Sequence, residues 1–401
     1  THQTGGSGGA GGSGGGTASN PSLVVNTGTV ATQGRGSAGI VAQSIGGGGG
    51  RSTASGQDLQ AVVSAAAGNT SPEIIDKITR IINILGTKGG SVLGSLINVR
   101  NGGLDGANGA GGVVTVDASA STSRITTQGV QAPGILAQSV GGGGGLSVVD
   151  QPLFLSGATT ATMGLGVAGD SGQGPQLSMG GAVNVIHGGA LGTNAAGSAG
   201  IIAQSVGGGG GVGTLSLRNA SQAAMTQTAT LTITLGSEYP ANRFGGSNFS
   251  LVPGGDVNAA NNTGRIVTQG IFSPGVLAQS VGGGGGIAAV SSSASLGSVD
   301  IQLGSIATNT FGPTPNSVTG NGGNVTVANS GGSIATYGAL SFGVLAQSVG
   351  GGGGLVTIDN GVTPAANAAN ITFGANSPMR GAAGTVTVTP VSYTHLRAHE
   401  T

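Results

Sequence analysis

Five times the chain spells nearly one phrase: GIVAQSIGGGGG from Gly39, GILAQSVGGGGG from Gly134, GIIAQSVGGGGG from Gly200, and GVLAQSVGGGGG from Gly275 and again from Gly343. A fixed phrase recurring along a chain marks a repeat architecture, in which one unit is stacked on copies of itself instead of one core closing around one site. A chain built this way speaks more of architecture than of chemistry.

The phrase extends upstream. Arg124-Ile-Thr-Thr-Gln-Gly129 precedes the second copy, Arg265-Ile-Val-Thr-Gln-Gly270 the fourth and Ser333-Ile-Ala-Thr-Tyr-Gly338 the fifth. Before these stand GGVVTV ending at Val116, GGDVNA ending at Ala259 and GGNVTV ending at Val327. Val257, Ile266 and Val276 are spaced by 9 and 10 residues, as are Val325, Ile334 and Val344. A strand of about five residues plus a Gly/Asn/Ser turn fills such a step, so three successive strands read as one coil of a parallel β-solenoid. The phrase glutamines Gln43, Gln138, Gln204, Gln279 and Gln347 lie 95, 66, 75 and 68 residues apart. That is too far for one three-strand coil, and each repeat is expected to hold two or more coils.

Within the phrase, alternation puts Val276, Ala278 and Ser280 on one face of a strand and Leu277, Gln279 and Val281 on the other. Both faces carry apolar residues, which predicts a strand covered on both sides, as parallel sheets are. The recurring Gln side chain is expected to form a hydrogen-bonded ladder or to satisfy a corner carbonyl, because an unpartnered buried amide costs on the order of 1–3 kcal/mol; a repeated ligand contact is the other reading. Ser44, Ser139, Ser205, Ser280 and Ser348 recur beside it as structural positions, small enough for close approach. The five-glycine run has no side chains for chemistry and implies a tight corner or a flexible excursion. Phosphate cradling needs a helix after the glycines, whereas Leu146-Ser-Val-Val149 and Leu355-Val-Thr-Ile358 continue as strand.

Composition leaves two global alternatives. Gly and Pro make up about a quarter of the chain, the lower edge of the range where low-complexity disorder is the default. Short β-branched clusters bounded by Gly, Asn and Ser favour order, since disordered chains lack such spaced apolar anchors. The 12 basic and 12 acidic residues balance, so no single-sign field recruits nucleic acid or an anionic membrane. Cysteine is absent and no apolar run is long enough for a membrane-spanning helix.

Three segments depart from the repeat. Residues 1–21 are Gly/Ser-rich, open without an initiator Met, and leave room for a secretion signal upstream. Between about 57 and 100 lies the expected helical insertion: Ser71-Pro-Glu73 reads as an N-cap with Pro at the first helical position, Gly86 as the stop, and Ile74, Ile75, Ile78, Ile81, Ile82 and Leu85 as one apolar face. Glu73 with Lys77 and Asp76 with Arg80 add acid-to-base pairs four residues apart. Residues 391–401 read as a translated transposon-type sequencing adapter and are taken as a non-native tail. The solenoid region is thus 22–390, an internal fragment in which GTVTV, from Gly384 to Val388, looks like the opening of another repeat.

Catalytic signals dissolve on inspection. Gly164 to Gly169 satisfies G-x-G-x-x-G, but this much glycine produces the pattern by chance and no helix follows. Gly169-Asp-Ser-Gly172 is similar to a serine-protease nucleophile segment, yet Ser171 has only His187 as a candidate base away from the chain ends and no further part of the pattern. Ser7 and Ser13 match G-x-S-x-G only because glycine surrounds them. Gly102 to Gly112 lacks the Asp ladder of calcium-binding nonapeptides, with Asp105 its one acid. With the adapter set aside, His395, Arg397, His399 and Glu400 form no cluster, and no enzyme activity, cofactor or metal is expected.

Taken with its upstream strands and glycine runs, the G-φ-φ-A-Q-S-φ-GGGGG phrase resembles the glycine-rich passenger regions of large bacterial autotransporters, over most of Ser22 to Val388. The resemblance implies a Gram-negative passenger, displayed extracellularly and held by a C-terminal outer-membrane barrel missing from this chain, with no membrane insertion by this segment. The function expected is a non-catalytic structural or adhesive surface stalk, binding host-cell or matrix ligands or neighbouring passengers through many weak contacts. Two alternatives from other classes are the scaffold of a secreted enzyme whose catalytic domain lies outside the fragment, and a disordered glycine-rich matrix protein.

Overall fold

The computed structural model describes residues 2–4, 14–55, 96–101, 109–153, 159–166, 178–219, 228–236, 238–239, 253–292, 295–304, 306–307, 320–360, 369–374 and 381–389. In these the chain winds as an all-β parallel solenoid with five walls. In the second coil the walls are Val114–Ala118, Arg124–Thr127, Ile135–Val140, Gly144–Leu153 and Thr159–Leu165. Each strand pairs in parallel with its counterparts in the coils before and after, so the walls are sheets of six, five, five, five and six strands.

Register shows what one turn of the solenoid contains. Gln43, Gln138, Gln204, Gln279 and Gln347 are direct neighbours in the third wall. One repeat is therefore one coil, which corrects the expectation of two or more. The strand count was the source: a coil has five strands, and the two walls after each glycine run complete the circuit. Each repeat accordingly adds one strand spacing to the stack, about 4.8 Å.

The first three walls enclose one apolar compartment, filled by residues such as Val114, Val116, Ile125, Ile135 and Ala137 and by their counterparts in register. The fourth and fifth walls face each other across a second, with Val149, Met163, Leu165, Leu215 and Ile233. Between the third and fourth walls lies a third, with Leu136, Leu146, Ile202, Val212 and Leu277. The third wall is thus covered on both faces, and every residue of Ile135–Val140, Ile201–Val206 and Val276–Val281 is buried. The alternation read from the phrase holds: Val276 and Ala278 enter the first compartment while Leu277 enters the third.

At the last coil each wall ends in a strand paired on one side only. There Val386 and Val388, in register with the fully buried Val325 and nearly buried Val327, are 43% and 44% exposed. The GTVTV segment does take the first-wall position after Val325–Asn329. The helix expected within 71–86 lies outside the described residues. At the end of that insertion, Leu96–Asn101 is not helical but a fifth-wall strand, in register with Thr160–Leu165. Val99 and Asn101, two residues apart on one face of this strand, are buried.

Candidate functional site: the ladders of the third wall and its glycine corner

The repeat phrase folds into two side-chain ladders and a corner. Each phrase Gln sits on the third wall facing the fourth, and its side-chain amide reaches the next coil. Gln43 Nε2 donates to Gln138 Oε1 at 2.6 Å, Gln138 to Gln204 at 2.7 Å, Gln204 to Gln279 at 2.8 Å and Gln279 to Gln347 at 2.8 Å. The second N–H of the amide turns to the fifth glycine of its own corner: Gln138 to Gly145 O at 3.2 Å, Gln204 to Gly211 O at 3.4 Å, Gln347 to Gly354 O at 3.5 Å. Both structural roles open to the amide are filled together, and Gln138, Gln204 and Gln279 have no exposure left for a ligand.

The neighbouring serines, on the opposite face, staple the third wall to the glycine pairs that lead into the first. Ser139 Oγ donates to Gly112 O at 2.8 Å and accepts Gly181 N–H, from the next coil, at 2.8 Å. Ser205 does the same with Gly181 and Gly255, and Ser280 with Gly255 and Gly323. Ser44 bonds Gly15 and Gly112, and Ser348 bonds Gly323 and Gly384. A hydroxyl is suited to this, because it donates and accepts at once. Space is equally decisive: a Cβ on Gly180 would lie 2.3 Å from Ser205 Oγ.

The glycine run is a corner in which each residue has a reason. The second to fifth glycines of every copy have positive φ, as in Gly142 to Gly145 at 80°, 79°, 118° and 118°. The first glycine is constrained by approach instead, since a Cβ on Gly141 would stand 2.2 Å from Met179 O. Their N–H groups are bonded to backbone: Gly141 to Val206 O, Gly142 to Gly109 O, Gly143 to Gly46 O and Gly144 to Gly48 O. An anion would find no free donors among these four. Gly164, from the dinucleotide-like match, lies in a fifth-wall strand, and 167–177, including Ser171, lie outside the described residues, as do 102–108 with Asp105.

Two constellations escaped the sequence reading. Thr32, Thr127, Thr193, Thr268 and Thr336 each donate to a carbonyl five residues on, closing the corner between the second and third walls. Their recurrence ahead of the Gln-Gly and Tyr-Gly pairs at four of the five corners was the available signal. A second column joins His187, Asn261 and Asn329 at the end of the first wall, with His187 Nδ1 2.8 Å from Asn261 Oδ1. Asn261 follows the upstream strand GGDVNA by two residues, and only register aligns it with a histidine. One ion pair reaches into the wall: Arg35 Nε lies 3.5 Å from Asp150 Oδ2, the arginine 43% exposed and the carboxylate buried. No group of three or more His, Asp or Glu side chains placed to hold a metal occurs among the described residues.

Chain spacing divides the coil into a constant and a variable part. From the first residue of a second-wall strand to that of the third wall is eleven residues in all five coils, and from the third to the fourth wall nine. From the fourth to the fifth wall the step runs from 10 residues (Gly285 to Ser295) to 47 (Gly49 to Leu96), and from the fifth to the next first wall from 17 to 30. The unequal repeat lengths are thus absorbed chiefly in the connections flanking the fifth wall. No family model, curated protein or solved structure matches the chain.

Proposed function

We propose that the chain is a non-catalytic structural and adhesive segment of an autotransporter passenger, displayed on the surface of a Gram-negative cell. The single observation that carries this reading is the division of each coil into a constant frame and variable connections. Walls two to four, locked by the Gln and Ser ladders, keep one spacing in every repeat, while segments of unequal length emerge beside the fifth wall. Rigid scaffolds that carry variable loops place recognition in the loops. Stacking sets the strand ends from which successive connections leave about one strand spacing apart, so weak contacts with a host surface, matrix or neighbouring passenger act together.

The test is display. Fused to an outer-membrane barrel, the chain is expected to reach the cell surface, to become accessible to external protease, and to make the cells adhere to host-cell or matrix-coated surfaces. Shortening residues 56–95 to a two-residue connection, the length between Ser292 and Ser295, should leave the far-ultraviolet β signal intact and reduce adhesion. A chain that never reaches the surface defeats the display reading; a displayed chain that promotes no adhesion at any density defeats the adhesive one.

A further inference from the structure

His187 closes the first-wall strand Val183–His187, and in register it stands between Ala118 of the second coil and Asn261 of the fourth. Its surroundings settle its protonation. Both N–H groups of the Asn261 amide are committed, to Gly264 O at 3.0 Å and to Asn329 Oδ1 at 2.8 Å. What Asn261 offers the imidazole is therefore Oδ1, an acceptor, and His187 Nδ1 must carry the hydrogen. The lone pair falls on Nε2, which is buried and meets no hydrogen-bond partner among the described residues. On the other side of the column stands the methyl of Ala118, which can neither donate nor accept. The ring is also confined, since a Cβ on Gly264 would come within 2.2 Å of Nδ1.

No charge is turned toward the ring from the elements packed on it. On Val114–Ala118, Asp117 alternates to the outer face and bonds Ser119 N–H. Asp256 before the strand Val257–Asn261, and Arg265 and Arg124 after the turns, are exposed. Burial, partly offset by the Asn261 hydrogen bond, holds the imidazole below its ordinary value of 6.5.

We propose that His187 is an acid-sensitive joint of the stack, at which proton uptake on Nε2 opens the corner where the third coil meets the second and the fourth. The proton comes from solvent, and the imidazolium it creates has one hydrogen with nothing to bond. Hydration of that hydrogen requires the ring to leave its place, and the flanking straps, Gly188 N–H to Ala118 O at 3.0 Å and Asn262 N–H to His187 O at 2.9 Å, go with it. The direction follows from linkage. Above pH 6.5 both closed and open corners hold a neutral ring and pH has no effect. As pH falls below 6.5 the open corner takes the proton first, and closure weakens until the depressed value of the closed state is passed.

Hydrogen exchange of the Gly188 and Asn262 amides in the full chain, with intrinsic rates divided out, reads the opening constant. It should rise as pH falls from 7.5 to 5, by about tenfold for each unit by which the folded value lies below 6.5. H187N, which continues the asparagine column, should remove the rise. Equal protection at both pH values, or the same rise in H187N, overturns the proposal. Should H187N fail to fold, an NMR titration of the wild-type imidazoles decides: a His187 ring carrying its hydrogen on Nε2, or titrating at or above 6.5, is equally fatal.

Discussion

Replacing Gln204 by Met keeps the length of the side chain and removes its amide from the middle of the ladder. Two buried side-chain groups are then orphaned, and Gly211 O loses its 3.4 Å donor as well. Gln138 loses the acceptor of its 2.7 Å bond, and Gln279 Oε1 loses the donor of a 2.8 Å bond. At about 1–3 kcal/mol for each buried group left unpaired, the loss is about 2–6 kcal/mol, a large share of the 5–15 kcal/mol that a domain typically has. Gln43→Met, at the start of the ladder, breaks only the bond to Gln138 Oε1 and should cost about 1–3 kcal/mol. With all five glutamines replaced by Met no amide is left to orphan another, so the combined loss should fall well short of the sum of the single losses. The chain has no Trp, so urea unfolding followed by far-ultraviolet circular dichroism is the assay, fitted with a repeat-by-repeat model because stacked coils need not unfold as one unit. If Q204M is within about 0.5 kcal/mol of wild type, or Q43M costs as much as Q204M, hydrogen-bond continuity is not what holds this wall.

Three further outcomes are expected. Gly283→Ala meets a φ of 83° and would place Cβ 2.7 Å from Gly352 N, so it should destabilise by more than about 2 kcal/mol. Gly192→Ala, with nothing within 4 Å of its Cβ and no positive φ, should be neutral or stabilising by up to about 1 kcal/mol; equal melting shifts for the two would contradict the corner geometry. Ser205→Ala leaves Gly181 O and Gly255 N–H without their 2.8 Å partner, for a loss of about 2 kcal/mol or more in the same urea assay. Deleting residues 207–281 removes one coil and rejoins the phrase at Gly282; a folded β stack about 4.8 Å shorter is expected, and loss of the β signal in circular dichroism would show that the coils are not interchangeable.

Much of the third wall was legible in the chain, because its signals are local. Ile-Leu-Ala-Gln-Ser-Val alternates with the period of a strand, and a run of five glycines reads as a tight corner or a flexible excursion, of which the structure shows the corner. The Gln ladder was open to inference for the same reason, since a polar amide among buried apolar residues must find a partner. The fourth and fifth walls were harder to read. Thr159–Leu165 and Leu96–Asn101 share no fixed phrase, and lie beyond connections whose lengths vary from repeat to repeat.

By itself the sequence determined strand, corner and stacked repeat: each follows from side-chain alternation, glycine conformation and recurrence, all of which act within a few residues. Only the tertiary structure decided that a coil has five walls, that a repeat is a single turn, and that His187 meets Asn261 across 74 residues of chain. Those depend on which distant backbones pair. That choice is made by the burial of the apolar compartments together, and the entropy of closing a loop grows too slowly with length for chain separation to indicate the partner in advance.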